Sequence, residues 1–448
     1  MRARRPRSVR EGCADMSMGA FTRRTALTGA PLALVVSGKT TPAENPSAVR
    51  PITADDSAGP VFSRSGPNAE LYGEAEGYPV SDPSLAQQPG DPYKAKYRVG
   101  AYSHFDAIYP TRRIERAPAP SIFKREKADI RYFYWGNRSS IEEYLARNPV
   151  TGLLVAKDDR ILCEHYQYGR TDKDRLASQS MAKSLIGALI GIAVGEGAIR
   201  SVDDQAAAYL PGLDGTEYGR TSIRDLLHMS SGVEFGEERE GSRDLNRLWI
   251  DMVLGWGRKG TVASIAQFDR RIAPPATKYS YASIEPDVLG LVLRSATGKS
   301  ASLYLQEKIW QPIGAEADAA WVIDAEGIEV VHGFFNAVMR DYARLGRLLA
   351  HDGAWEGREL IPRQWMIDAT TVRPTDDYLA PGKAMPTFGY GYLIWLLPGA
   401  RRQFALVGAR GHRICVDPAS KLVMVHLAVD EAPEAWQLWS ALVEQFGA

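Results

Sequence analysis

A hydroxyl and an amine three residues apart, Ser180 and Lys183, open an apolar run in Ser178-Gln179-Ser180-Met181-Ala182-Lys183-Ser184-Leu185-Ile186-Gly187. A serine hydroxyl keeps its proton near neutral pH and needs a base within hydrogen-bond reach before it can attack a carbonyl. A lysine can be that base where burial disfavours its charged form. On a helix, positions i and i+3 share a face, so the spacing predicts that both side chains point into one space. A helix beginning near Ser180 also brings free backbone N–H groups and a positive dipole end beside the hydroxyl.

The spacing alone is a weak signal, since on the order of one chance match is expected in a chain this long. Ser121-Ile122-Phe123-Lys124 is such a match. It follows Ala117-Pro118-Ala119-Pro120 and runs into Arg125-Glu126-Lys127, and it reads as a loop. Ser180 instead leads into Leu185-Ile186-Gly187-Ala188-Leu189-Ile190-Gly191-Ile192-Ala193-Val194, apolar nearly all round, as a central buried helix is. That run is too short, and too close to Lys183, to span a membrane. Gly187, Gly191 and Gly195 recur every four residues and predict one smooth side for close packing.

The chain has 448 residues, 45% hydrophobic and 24% charged, with a formal net charge of zero. These are the proportions of a globular protein, and no global field favours nucleic acid or a membrane surface. The seven histidines are scattered and no HExxH or CxxC is present, so no metal site and no cofactor is read. Cys13, Cys163 and Cys415 make no disulfide framework, and the last two read as buried thiols in strands.

Along the chain, residues 1–43 carry Thr22-Arg23-Arg24-Thr25-Ala26-Leu27, an apolar run to Val36 and then Thr41-Pro42-Ala43. They resemble a twin-arginine export leader and predict a periplasmic or extracellular protein. Residues 44–130 are a linker followed by an arm, with Tyr102, Phe105, Ile108, Tyr109, Ile114 and Ile122 as apolar anchors. A domain of residues 131–201 and 286–448 then begins with a short helix at 141–147. Strands at 152–157 and 161–166 are joined by Asp158-Asp159-Arg160. Residues 202–285 read as an inserted helical lobe. Helices are expected at 284–297, 301–310, 340–351 and 362–370. Strands are expected at 389–397, 403–407, 412–416 and 422–429, and a closing helix at 435–446. The fold class is α+β: one five-stranded antiparallel sheet sewn from both chain ends and flanked by helices, with the site in a cleft beside the lobe.

A Ser–Lys pair needs a proton shuttle for the leaving group and N–H donors for the oxyanion. Pro274-Pro275-Ala276-Thr277-Lys278-Tyr279-Ser280-Tyr281-Ala282-Ser283 presents a tyrosine on a Pro-led turn. Tyrosine ordinarily titrates near 10, so Tyr281 needs a cation such as Lys183 beside it to take the Ser180 proton. Gly408-Ala409-Arg410-Gly411 lies between two strands, where its glycines let a substrate lie along the backbone. An N–H near Ala409 would pair with that of Ser180. Gly408, Ser283 and Arg410 are the candidate substrate contacts. Trp249, Trp256 and Trp395 are better read as core than as pocket walls, and His412, His228 and Asp244 as structural.

With these residues in place the chain resembles the serine β-lactamase/penicillin-binding-protein superfamily, on its class C and esterase side, and most closely its aminohexanoate-dimer hydrolase group. The matching blocks are residues 178–184, 222–232, 275–283, 340–346 and 408–418, in family order. The resemblance implies Ser180 as nucleophile, Lys183 as its partner, Tyr281 as general base and acid, and the Ala409 N–H in the oxyanion hole. It implies a small amide or ester as substrate, cleaved through an acyl-enzyme. Two departures stand out: Tyr281-Ala282-Ser283 replaces Tyr-x-Asn, and Gly408-Ala409-Arg410 replaces Lys-Thr-Gly. They fit a linear amide or ester better than the alternatives, a β-lactamase or D,D-peptidase, or a penicillin-fold binding module without turnover.

Overall fold

The structure, a computed structural model, describes residues 59–79, 93–237, 243–252 and 260–447. The expected leader, Cys13, Trp256 and part of the linker lie outside these residues. The expected hairpin is present: Val150–Lys157 pairs antiparallel with Arg160–Tyr166. Its turn residue Asp158 has φ +53°, a left-handed geometry that Asp tolerates better than most residues. On its other side Val150–Lys157 pairs with Leu422–Ala428, which joins the two ends of the chain in one sheet. Arg413–Asp417 and Phe404–Val407 follow, each antiparallel to the last.

These five strands are the expected antiparallel sheet, but the whole sheet has nine strands and is mixed. Val61–Phe62 and Lys124–Arg125 add in parallel to the Arg160–Tyr166 edge. Residues 389–397, expected as one strand, form two, Gly389–Tyr390 and Trp395–Leu396, with Leu393 at φ +55° between them. Each of the four additions is two residues long, too short to show the alternation that marks a strand.

The two faces of the sheet bury different residues, as a period of two requires. Leu153, Val155, Cys415 and Met424 face the closing helix Glu434–Phe446 and the short helix Ile141–Arg147. Leu154, Ile414, Val423 and Val425 face Met339–Ala350 and the large core around Ala182–Gly195. Ala182–Gly195 is buried almost throughout, which explains its apolar composition on every side. Its glycine side is a contact surface: a Cβ on Gly187, Gly191 or Gly195 would lie 2.8, 2.4 or 2.7 Å from Tyr392 O, the Trp365 ring and Pro362, respectively.

A second, four-stranded sheet was not legible in the sequence. It runs Thr111–Ile114, Ala319–Val322, Phe335–Ala337, Leu176–Ala177. It matters for the site because Leu176–Ala177 delivers the chain to Ser180. The arm supplies one of its strands and packs Tyr102, Phe105, Ile108, Tyr109 and Ile114 inside. Ile122 is the exception among the expected anchors, 76% exposed. The neighbouring Phe123 turns inward under the Arg344 guanidinium instead. Between residues 202 and 285 the described residues form short helices and isolated bridges rather than ladders. Among the described residues no helix is long and apolar enough to cross a membrane.

Candidate active site

Ser180 sits on a forced turn. The strand Leu176–Ala177 ends at the buried Ser178, whose N–H donates to Phe335 O (2.7 Å). Gln179 then takes φ +48°, a left-handed conformation that costs a non-glycine residue roughly 1–2 kcal/mol. A single tight turn, Gln179–Met181, leads into Ala182–Gly195. The helix proper therefore begins two residues after Ser180, and Ser180 stands half-buried at its mouth.

Lys183 lies in the first turn of that helix and is 1% exposed. Its Nζ donates to Ser180 Oγ at 2.9 Å and to the His332 carbonyl at 2.7 Å. It also lies 4.9 Å from the centroid of the Tyr281 ring. Among the described residues no carboxylate stands within ion-pair distance of it. The i, i+3 spacing thus does what the sequence predicts, and the ammonium is aimed by three neighbours rather than one.

Tyr281 reaches this point because two distant blocks are tied together. The Ser280 N–H donates to Met229 O (2.8 Å) and the Ala276 N–H to Ser230 O (3.0 Å). Residues 222–232 therefore hold residues 275–283 in place. The Tyr281 ring is half-buried, with Tyr390 at 6.5 Å and Trp395 at 6.4 Å between centroids. Trp395 thus walls the site from the sheet edge, while Trp249 packs tilted against Phe334, with 4.6 Å between centroids.

Residues 408–411 lie directly against the nucleophile turn. A Cβ on Gly408 would stand 2.7 Å from Ser178 O and 2.8 Å from Gln179 Cβ, so only glycine permits this approach. The Gly408 N–H donates to His412 O (2.8 Å) and the Arg410 N–H to Glu431 Oε1 (2.9 Å). Between them the Ala409 N–H has no acceptor among the described residues. His412 bonds the Ala409 carbonyl through Nδ1 (2.9 Å) and so fixes the next peptide, Ala409–Arg410. The Arg410 guanidinium is engaged by Asp430 at 3.2 Å. Ser283 is 2% exposed, its hydroxyl donating to Glu237 Oε1 (2.6 Å) and its N–H to Glu237 Oε2 (2.7 Å). Ser180, Lys183, Tyr281, Gly408 and Ala409 are thus brought together. Ser283 and Arg410 are each held by a carboxylate.

Three residues at the site were not singled out from the sequence: Glu237, His332 and Asp287. His332 is one of the seven scattered histidines. It enters through its main-chain carbonyl, a role that side-chain identity does not encode.

A sequence model of the family described as Beta-lactamase matches residues 138–445. The chain is 24% identical over 345 residues to the 6-aminohexanoate-dimer hydrolase of Paenarthrobacter ureafaciens, covering 75% of this chain and 86% of that one. Among solved structures it is similar to one described as "Putative 6-aminohexanoate-dimer hydrolase from Bacillus anthracis". The TM-score is 0.71 at 23% identity, over 82% of this chain and 96% of that one. It is also similar to a family VIII carboxylesterase, with a TM-score of 0.52 at 17% identity over 67% and 93%. The match spans the central sheet, the Ser180 turn, the Tyr281 turn and residues 408–411, and the chain belongs to the beta-lactamase family.

Proposed function

We propose that this protein is a serine hydrolase that cleaves a small linear amide or carboxylic ester through an acyl-enzyme. The observation that carries the proposal is the 2.9 Å bond from Lys183 Nζ to Ser180 Oγ, set beside an Ala409 N–H that has no acceptor among the described residues. In this reading the Ser180 proton passes to the Lys183–Tyr281 pair as Oγ bonds to the substrate carbonyl carbon. The carbonyl oxygen becomes an oxyanion, held by the N–H groups of Ser180 and Ala409. The C–N or C–O bond then breaks, and the proton leaves with the amine or alcohol through Tyr281. Water repeats the sequence on the Ser180 ester and releases the acid.

The substrate class rests on the similarity to a 6-aminohexanoate-dimer hydrolase and on the engaged state of Arg410. The Arg410 guanidinium is engaged by Asp430, whose charge offsets the one cation that residues 408–410 would offer a β-lactam carboxylate. The twin-arginine-like residues 22–27 support export of the protein to the periplasm or beyond. The test is a fluorophosphonate probe on the wild type and on Ser180→Ala, with a turnover screen of p-nitrophenyl esters, aminohexanoate dimer and nitrocefin. We expect labelling of the wild type alone, and turnover of an ester or the dimer without nitrocefin. Labelling that survives in Ser180→Ala overturns the nucleophile. Rapid nitrocefin turnover overturns the substrate class.

A further inference from the structure

We propose that Asp287 is a positioning residue for Lys183, acting through the main chain of His332; this rests on the serine-hydrolase reading above. Lys183 Nζ makes two hydrogen bonds, and the one that does not go to Ser180 goes to His332 O at 2.7 Å. That carbonyl is the fixed point from which the ammonium is aimed. It belongs to a tight turn, residues 330–334, that is not restful by itself. Phe334 holds φ +63°, a geometry that bulky residues avoid.

Side chains hold the turn from both sides. On one side the Trp321 indole N–H donates to Gly333 O (2.8 Å). On the other, Asp287 takes both donors of His332: the backbone N–H at 3.1 Å on Oδ1 and ring Nδ1 at 2.7 Å on Oδ2. Asp287 is 3% exposed and His332 7%, so this bidentate contact is shielded from water and salt. The path Asp287–His332–Lys183–Ser180 is therefore continuous through hydrogen bonds and one residue's backbone.

Placement on the helix strengthens the reading. Asp287 lies in the first turn of Ile284–Thr297, and Tyr281 lies just before that helix starts. The carboxylate behind the carbonyl acceptor thus sits on the helix that directly follows the turn bearing the ring that Lys183 faces. A purely structural tie would alter stability and leave the chemistry of the folded protein untouched. A positioning tie changes the rate of Ser180 acylation. Misplacement of a reacting group by about 1 Å can cost about a hundredfold.

The experiment uses the full chain with Asp287→Asn and Asp287→Ala, and a p-nitrophenyl ester that the wild type turns over. It measures kcat and KM separately, the rate of fluorophosphonate labelling at Ser180, and the thermal midpoint. We expect kcat and the labelling rate to fall together, by roughly tenfold or more in Ala and less in Asn, with KM within about twofold. The smaller loss in Asn follows because its carbonyl still accepts one His332 donor. Asn has nearly the shape of Asp and supplies a folded variant if Ala does not fold. Wild-type kcat and labelling in folded Asn overturn the proposal, as does a rise in KM with kcat unchanged. An unlabelled, inactive wild type is a different result, which removes the serine-hydrolase reading and this proposal with it.

Discussion

The Lys183 ammonium meets Tyr281 over the face of its ring, 4.9 Å from the centroid, while its hydrogen bonds go to Ser180 and His332. Contact of this kind is worth about 0.5–1 kcal/mol when exposed and about 2 when desolvated. It anchors the ring by its face, a contact that does not use the phenol oxygen. The two parts of Tyr281 are therefore separable. Tyr281→Phe keeps the ring and should lower kcat by about a hundredfold or more, with little change in thermal midpoint. Tyr281→Ala should lose both activity and stability. Steady-state kinetics and thermal melts on the two variants check this, and a Phe variant with wild-type kcat removes Tyr281 as proton shuttle.

Gly408→Ala tests the contact between residues 408–411 and the nucleophile turn. The new methyl would meet Ser178 O at 2.7 Å and Gln179 Cβ at 2.8 Å. Neither neighbour can retreat easily, because Ser178 is fully buried and Gln179 already holds φ +48°. The strand end must move away and carry the Ala409 N–H with it. We expect kcat/KM to fall by about a hundredfold to a thousandfold, the range for a lost oxyanion donor. Unchanged kcat/KM in the folded variant would place the oxyanion elsewhere.

What the sequence made legible follows from how each feature is encoded. Ser180 and Lys183 are neighbours on one helix, so a spacing of three was enough. The five central strands are four to eight residues long and mostly apolar. The second sheet was hidden because Leu176–Ala177 and Phe335–Ala337 are too short to alternate. Asp287 was hidden for a different reason: its partner is 45 residues away and is gripped partly through a backbone N–H. Ser283 is expected from the sequence as a substrate contact, and nothing local signals that Glu237, 46 positions earlier, takes its hydroxyl.

Acid stability should report on His426. The ring is fully buried, between Tyr144 OH on Nε2 (2.7 Å) and Gly411 O on Nδ1 (2.7 Å). Burial, reinforced by the nearby Arg413 and His412, pushes its pKa down to about 3. An unfolded histidine titrates near 6.5. Between those values the unfolded chain binds a proton that the folded one refuses. Its stabilising contribution is therefore full above about pH 6.5 and is lost as pH falls toward 3, at up to about 1.4 kcal/mol per pH unit. His426→Gln keeps a donor for Gly411 O and removes the titration. Its stability should fall less steeply than that of the wild type between pH 7.5 and 5. Parallel pH profiles from denaturant melts would count against a neutral buried His426.

The arm and residues 408–411 share one carboxylate. Asp430 Oδ2 accepts from Tyr72 OH (2.9 Å) and Arg98 Nη1 (3.0 Å), and Oδ1 accepts from Arg410 Nη1 (3.2 Å). The group is only partly buried, so the pairs are weaker than core ion pairs and stronger than surface ones. Removing the shared acceptor breaks these three bonds and the one that Oδ1 accepts from the Glu431 N–H (3.0 Å), whereas removing Arg98 breaks the arm alone. Asp430→Ala should therefore lower both the thermal midpoint and kcat, because Arg410 adjoins the Ala409 peptide. Arg98→Ala should lower the midpoint and leave kcat near wild type. In Arg98→Ala/Asp430→Ala the stability losses should fall short of their sum by about 0.5–3 kcal/mol, the coupling expected of residues in contact. Chemical melts and kinetics on the three variants measure it. Additive losses, or an Arg98→Ala variant that loses kcat as steeply as Asp430→Ala, would show that the arm reaches the site by another route.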